Sequence, residues 1–223
     1  MKQIPALVET MYWDGHTITL WPYHLRRLQK GIDHYQLNAD EDMIRELVMH
    51  RLQQGTNMPQ KVRLELSERG ADVRLSAFTR EPDRIIKLGQ ATGLVLDSTS
   101  ATGLKTTDRA IYHQAQEQAQ QQHCDDVLIP NEKGHWVETA IFNIIWQDPD
   151  TDVLFTPAAR EGGVAGVMKA FLLDKDNIRE AVLYPEILQT AKAVWVCNAL
   201  RGVLPVSRIG TQEYIIQDFP YIK

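Results

Sequence analysis

"GQATGLVLDSTSATGLKTTDR", residues 89–109, is the stretch on which the fold turns. It is rich in Gly, Ser and Thr and holds few charges before Lys105, a composition that marks a connection between two lobes more than a flexible linker. Straight after it, Ala110, Ile111, Ala115 and Ala119 recur on one face of a helix whose other face is mostly Gln. The chain is therefore expected to be α+β and two-lobed, with a small α+β lobe over residues 1–95 and a larger, sheet-rich lobe over 96–223.

Upstream, "ALVETMYW" (6–13), Asp14-Gly15 and "HTITLW" (16–21) read as two strands around a tight turn, because Asp-Gly supplies the positive φ values of a hairpin. From Pro22 to Tyr35, Leu25, Leu28, Ile32 and Tyr35 recur three or four apart, which predicts a helix with Arg26, Gln29 and Lys30 outward. "ADEDMIRELVMHRLQQG" (39–55) predicts a second helix, with acidic residues in its first turn and Gly55 to end it. "KVRLELSERGADVRLSAF" (61–78) alternates strictly around a Gly-containing turn and predicts another hairpin. Downstream, "DDVLIP", "HWVETAIFNIIW" and "VLFTP" supply strands, separated by turns at 131–134 and 148–152. A helix follows "GGVAG", then come a short strand "EAVLY", a helix "PEILQTA" and the apolar strand "AVWVCNA" leading to "GVLPV".

With 223 residues and 43% hydrophobic content, the chain can bury a substantial core. A formal charge of −5 provides no basic field for nucleic acid or an anionic membrane, so neither is expected as a partner and any anion must be held locally. The start fails both as a signal peptide and as a spanning helix, since Glu9 and Asp14 break its short apolar run, and a cytoplasmic location is expected. Cys124 and Cys197 are too few for a disulfide framework and lack the spacing of a zinc site; free thiols and no metal are expected.

Four features could carry chemistry. Taken by itself, Lys105 is most simply a solvated lysine near a helix start; yet a lysine gains nothing at the positive end of a helix, whereas one that must attack an aldehyde gains from desolvation and nearby positive charge, which Arg109 would add to. Glu138 lies among Trp, Val, Ile and Phe, where period-2 alternation allows either an outward residue or a buried carboxylate facing a protonated ring nitrogen. "GGVAGVMKAFLL" opens a helix whose first backbone N–H groups could receive a phosphate, or simply starts that helix. In "HLRRL", Arg26 and Arg27 point in different directions, so one could face inward as an anion ligand. Together these partner the aldehyde, ring nitrogen and phosphate of pyridoxal 5'-phosphate.

The motif order, "ETM..DG......HLRRL", "KTTDR", "NEKGHWVETAIFNI", "TP....GGVAGVMK" and "CNALRGVLPV", resembles the class IV, or fold type IV, pyridoxal phosphate enzymes: branched-chain aminotransferases, D-amino acid aminotransferases and 4-amino-4-deoxychorismate lyases. The resemblance implies a D-amino acid aminotransferase-like fold, a cofactor held in the larger lobe, a small-molecule substrate and a homodimer. It makes Lys105 the Schiff-base lysine, Glu138 the partner of the pyridine nitrogen and Arg27 a phosphate ligand. Val167 and Met168 would offer backbone N–H groups to the phosphate, with Asn198 and Ala199 approaching from the other side. Arg109 is assigned to the cofactor's phenolate side, or to lowering the pKa of Lys105. "GVMK", "CNAL" and Thr10 in "VETM" lean to the lyase, which forms 4-aminobenzoate and pyruvate in the folate pathway, with Lys105 and Thr10 passing protons; transamination of branched-chain or D-amino acids is the alternative. Arg63 resembles an arginine used for substrate carboxylates, although a solvent-facing hairpin arginine reads equally well. Two departures stand out: the family begins with about twenty further residues, and Lys169 replaces an arginine, keeping charge but losing bidentate geometry.

Overall fold

The computed structural model describes residues 4–99 and 102–221, and the chain divides into two compact units. The first comprises residues 1–80 with 104–108, the second 81–103 with 109–223. The expected boundary after residue 95 therefore lies inside the second unit.

In the first unit, β1 (Leu7–Trp13) is followed by α1 (Trp21–Tyr35), α2 (Glu41–Gln53), β2 (Gln60–Ser67) and β3 (Gly70–Ala77). The strands form an antiparallel sheet in the order β1-β2-β3. Alternation puts Leu7, Met11, Trp13, Val62, Leu64 and Leu66 in one buried cluster with Leu25, Leu28 and Ile32 of α1 and Ile44, Val48 and Leu52 of α2. Asp40 caps α2 by accepting the Met43 N–H at 2.8 Å. "HTITLW" does not form the expected strand; Ile18 makes only a single bridge to Trp13. The reason is local: Asp14 Oδ1 accepts the N–H groups of His16 and Thr17 at 2.8 and 2.7 Å, and Leu20 takes a left-handed φ of 59° that starts α1 one residue later.

The second unit contains β4 (Ile86–Gln90), α3 (Ala110–Gln121), β5 (Asp126–Pro130), β6 (Trp136–Thr139), β7 (Asn143–Gln147), β8 (Leu154–Pro157), α4 (Val167–Asp174), β9 (Arg179–Ala181), α5 (Ile187–Thr190), β10 (Val194–Asn198), β11 (Gly202–Ile209) and β12 (Gln212–Glu213). The strand path β10-β11-β4-β5-β6-β7 returns to β10 through a β7–β10 pairing, so these strands close into a barrel; β8 and β9 continue from β7, and β12 pairs with β11. Ile86, Leu88, Leu128, Ile144, Val196, Leu204 and Val206 share one buried cluster, while the alternate residues Val127 and Ile129 pack with Ala115 and Ala119 of α3. Burial on both faces explains why β5 reads as an unbroken apolar run.

Two sequence expectations change here. Ile86–Gln90 is a strand of this unit, running parallel to both β11 and β5. "HWVETAIFNIIW" is two strands: the buried Asp126 carboxylate accepts the Ala140 and Ile141 N–H groups, each at 3.1 Å, and folds the chain back between β6 and β7.

Candidate functional site

Lys105 lies in the short segment that the first unit borrows from beyond residue 100. That segment extends the free edge of β1: the Val8 N–H donates to Lys105 O and the Thr107 N–H to Ala6 O, both at 2.8 Å, around a Leu7–Thr106 bridge. Antiparallel register therefore sets Lys105 opposite Val8, on the sheet face that also carries Thr10. Thr10 in turn pairs with Arg63 on β2, so the lysine, the threonine and the hairpin arginine share one face. Arg63 is partly neutralised there, because its Nε donates to Glu65 Oε1 at 2.7 Å.

The opposite face of β1 carries Glu9, buried among the core residues. Of the two adjacent arginines of α1, Arg27 turns inward and Arg26 stays exposed over the Tyr23 ring. Arg27 Nε donates to Glu9 Oε1 at 2.7 Å and its Nη2 to Oε2 at 2.5 Å, while His24 Nδ1 lies 2.6 Å from Oε2. Burial works to raise the Glu9 carboxyl, but the Arg27 charge and the His24 hydrogen bond outweigh it and bring its pKa down to about 2. Burial, with the charges of Arg27 and Lys105, lowers the pKa of His24 against the pull of Glu9. The ring is thus neutral, and because an ionised carboxylate only accepts, the ring proton sits on Nδ1.

In the second unit the strand carboxylate is Glu138, on β6 and 3% exposed. Tyr112 of α3 donates its hydroxyl to Oε1 at 2.7 Å, Asn143 Nδ2 donates to Oε2 at 3.0 Å, and the Val164 N–H donates to Oε1 at 2.9 Å. Three donors thus satisfy the buried carboxylate on both oxygens. Burial, together with the same carboxylate, raises the pKa of the Tyr112 phenol, which stays protonated as a donor. Arg109 caps this arrangement, with its guanidinium 4.4 Å from the Tyr112 ring centre and Nη2 donating to Ala140 O at 2.5 Å.

Gly163 and Gly166 bring the next turn close under these groups. A Cβ on Gly163 would lie 2.9 Å from Glu138 Cδ, and one on Gly166 only 1.7 Å from Asn143 Oδ1. Gly166 precedes α4 and has no side chain to cap it, so the N–H groups of Val167 and Met168 open the helix with no intrahelical acceptor. Such an end suits an anion. Asn198 ends β10, where Nδ2 donates to Ile141 O at 3.1 Å and Oδ1 accepts the Arg201 N–H at 2.7 Å; Ala199 is buried beside it.

The second unit thus gathers Glu138, Arg109, Val167, Met168, Asn198 and Ala199 around the 140–142 and 163–166 turns, and the first holds Lys105, Thr10, Arg63 and Arg27. Sequence reasoning overlooked Glu9, His24, Tyr112 and Asn143. Glu9 gave the same signal as Glu138, a carboxylate inside an apolar strand; His24, three residues before Arg27, shares its helix side. Asn143 could not be found without the turn that opposes it to Glu138. In the second unit, a buried carboxylate and an uncapped helix start cradled by glycines fit the ring nitrogen and the phosphate of pyridoxal phosphate. Among the described residues there is no cluster of metal-ligating side chains, and no helix is long and apolar enough to cross a membrane.

The family model for amino-transferase class IV matches residues 6–209. A provisionally named aminodeoxychorismate lyase of Schizosaccharomyces pombe is 29% identical over 209 residues, spanning 88% of this chain and 87% of that protein. An aminodeoxychorismate lyase of Vibrio harveyi is 36% identical over 100 residues, 43% of this chain and 36% of that protein. Among solved structures, a provisionally named amino-acid aminotransferase from Mesorhizobium loti superposes with a TM-score of 0.84 at 31% identity, covering 91% of this chain and 99% of that one.

Proposed function

Because the chain belongs to the class IV aminotransferase family, whose enzymes use pyridoxal phosphate, we propose that it is a lyase converting 4-amino-4-deoxychorismate to 4-aminobenzoate and pyruvate. The observation that carries this reading is the pairing of residues 104–108 with β1, which gives Lys105 and Thr10 a common face. A shared face lets an amine and a hydroxyl address the same substrate. The names of the yeast and Vibrio relatives support the same reaction.

Bound pyridoxal phosphate supplies an electron sink, strongest when its ring nitrogen is protonated. Glu138, oriented by the donors of Tyr112, Asn143 and Val164, would hold that proton in place. Within the second unit, the N–H groups of Val167 and Met168 would receive the phosphate, Asn198 and Ala199 would line it, and Arg109 is the candidate for the phenolate side; in the first unit, Arg27 is the phosphate ligand that the family resemblance implies. Lys105 would hold the cofactor's aldehyde, and its amine would serve as the general base that removes the ring proton of the substrate. The C–O bond to the enolpyruvyl group breaks, and Thr10 and Lys105 return the proton that makes it pyruvate. Arg63, shared with Glu65, is the candidate for a substrate carboxylate. The reading includes a homodimer in the cytoplasm.

A second reading, transamination of branched-chain or D-amino acids, is favoured by the name of the Mesorhizobium structure. One experiment separates them. Purified protein is mixed with aminodeoxychorismate, then with D- and L-amino acids, while the cofactor spectrum and pyruvate release are followed. Pyruvate from the first supports the lyase; bleaching of the yellow band by an amino acid, with no pyruvate formed from aminodeoxychorismate, supports the transaminase. Lys105→Ala should abolish both the band and the activity, and a yellow, active variant overturns the assignment.

A further inference from the structure

We propose that His24 and Glu9 are positioning residues for Arg27, the imidazole Nδ1–H locking the carboxylate that in turn fixes the guanidinium; this rests on the reading of Arg27 as a phosphate ligand. Three observations carry it. Glu9 is 2% and His24 1% exposed, so neither can contact a ligand from solvent. The carboxylate is divided between them, with both oxygens accepting from Arg27 and Oε2 also facing His24 Nδ1. Finally, His24 Nε2 is buried with no hydrogen-bond partner among the described residues.

The last point is the most telling. An orphaned buried nitrogen costs stability, and an apolar ring would avoid that cost, so what the imidazole offers at this position is the donor on its other side. The terminal torsion of a glutamate is broad and two-fold, and by itself it leaves the carboxylate plane poorly defined. His24 removes that freedom. His24 and Arg27 stand three residues apart on α1 and meet β1 from the same side, so the carboxylate is gripped between two rigid groups of one helix. The guanidinium gives Nε–H and one Nη2–H to Glu9, and its planar fork then directs the remaining N–H groups away from the carboxylate in a fixed plane. Anion binding by Arg27 thereby pays no cost for ordering its side chain.

The test uses the two amides that mimic one imidazole nitrogen each. Asparagine can place a donor where Nδ1 lies, and glutamine one where Nε2 lies. Apo protein is titrated with pyridoxal phosphate and, separately, with inorganic phosphate, and hydrogen exchange of the Arg27 Nε–H is read by NMR. His24→Gln and His24→Phe should weaken both ligands about tenfold, the worth of one charge-assisted hydrogen bond, and speed Nε–H exchange, whereas His24→Asn should stay near wild type. Equal affinities and exchange in all four proteins, or rescue by Gln and not Asn, overturn the proposal. Should the variants fail to fold, the wild-type imidazole decides: nitrogen shifts of the Nδ1–H tautomer are expected, and the Nε2–H tautomer overturns it. Absence of cofactor binding by the wild type would sink the functional reading instead, and the Nε–H exchange, which needs no cofactor, tells the two failures apart.

Discussion

Replacing Gly166 by alanine tests how closely the 163–166 turn is fitted beneath Glu138. The backbone itself offers no objection, since φ −65° and ψ 136° are open to any residue. The obstacle is Asn143, whose Oδ1 and Cγ would lie 1.7 and 2.9 Å from the new Cβ. Its side chain must leave, and with it go the 3.0 Å bond to Glu138 Oε2 and the 3.3 Å bond to Val164 O. Losing a hydrogen bond to a buried charge costs about 1.5–3 kcal/mol and an off-rotamer asparagine adds about 0.5–1.5, offset by about 0.4–1 from the stiffer unfolded chain. We therefore expect Gly166→Ala to lower the stability of the apo protein by about 2–3 kcal/mol in urea denaturation. Asn143→Ala should cost about 2 kcal/mol by itself, and the double variant no more than that, because the alanine methyl enters the space Asn143 vacates. Additivity to within about 0.5 kcal/mol, or a Gly166→Ala protein as stable as the wild type, would refute the reasoning.

Two further outcomes follow from buried titratable groups. The Glu9 carboxyl is lowered from 4.5 to about 2 on folding, so it contributes stability that is present above pH 4.5 and lost as the pH falls through about 2. Over that window apo stability should drop by up to about 3 kcal/mol, and in Glu9→Gln this part of the decline should be missing from the urea midpoints. Cys197 is fully buried on β10 with its thiol pushed up to about 12 by burial, and Cys124, half-buried, is raised as well. An aromatic disulfide reagent should titrate at most one thiol in the native protein, slowly, and both in denaturant; rapid native reaction of Cys197 contradicts the burial described.

Local pattern carried much of this fold into view. The alternation of residues 61–78 located β2 and β3, the three-and-four spacing of Leu25, Leu28 and Ile32 located α1, and the motif order implied the fold type IV architecture that the Mesorhizobium structure shares. Elements whose existence depends on distant partners stayed hidden. Ile86–Gln90 is short and carries a lysine, and becomes a strand only because β5 and β11 flank it. The break at 140–142 has no glycine or proline to announce it, since the anchor is Asp126 on a neighbouring strand. Glu138 stands out in the sequence because a carboxylate in an apolar strand demands a reason, and of the two orientations that alternation allows the structure takes the buried one. Glu9 makes the same demand, and its answer lies in a helix turn whose pattern draws attention only to its arginines.

That anchored turn also sets a rule about length. Glu138 and Asn143 face each other across it, and side chains along a strand alternate between faces. One residue inserted between Ala140 and Phe142 would move Asn143 to the other side of β7 and bring Phe142 into its place, setting an aromatic ring against a buried carboxylate. The spacing is thus a constraint of parity, and recombination between relatives should tolerate substitutions in this turn far better than any odd change in its length.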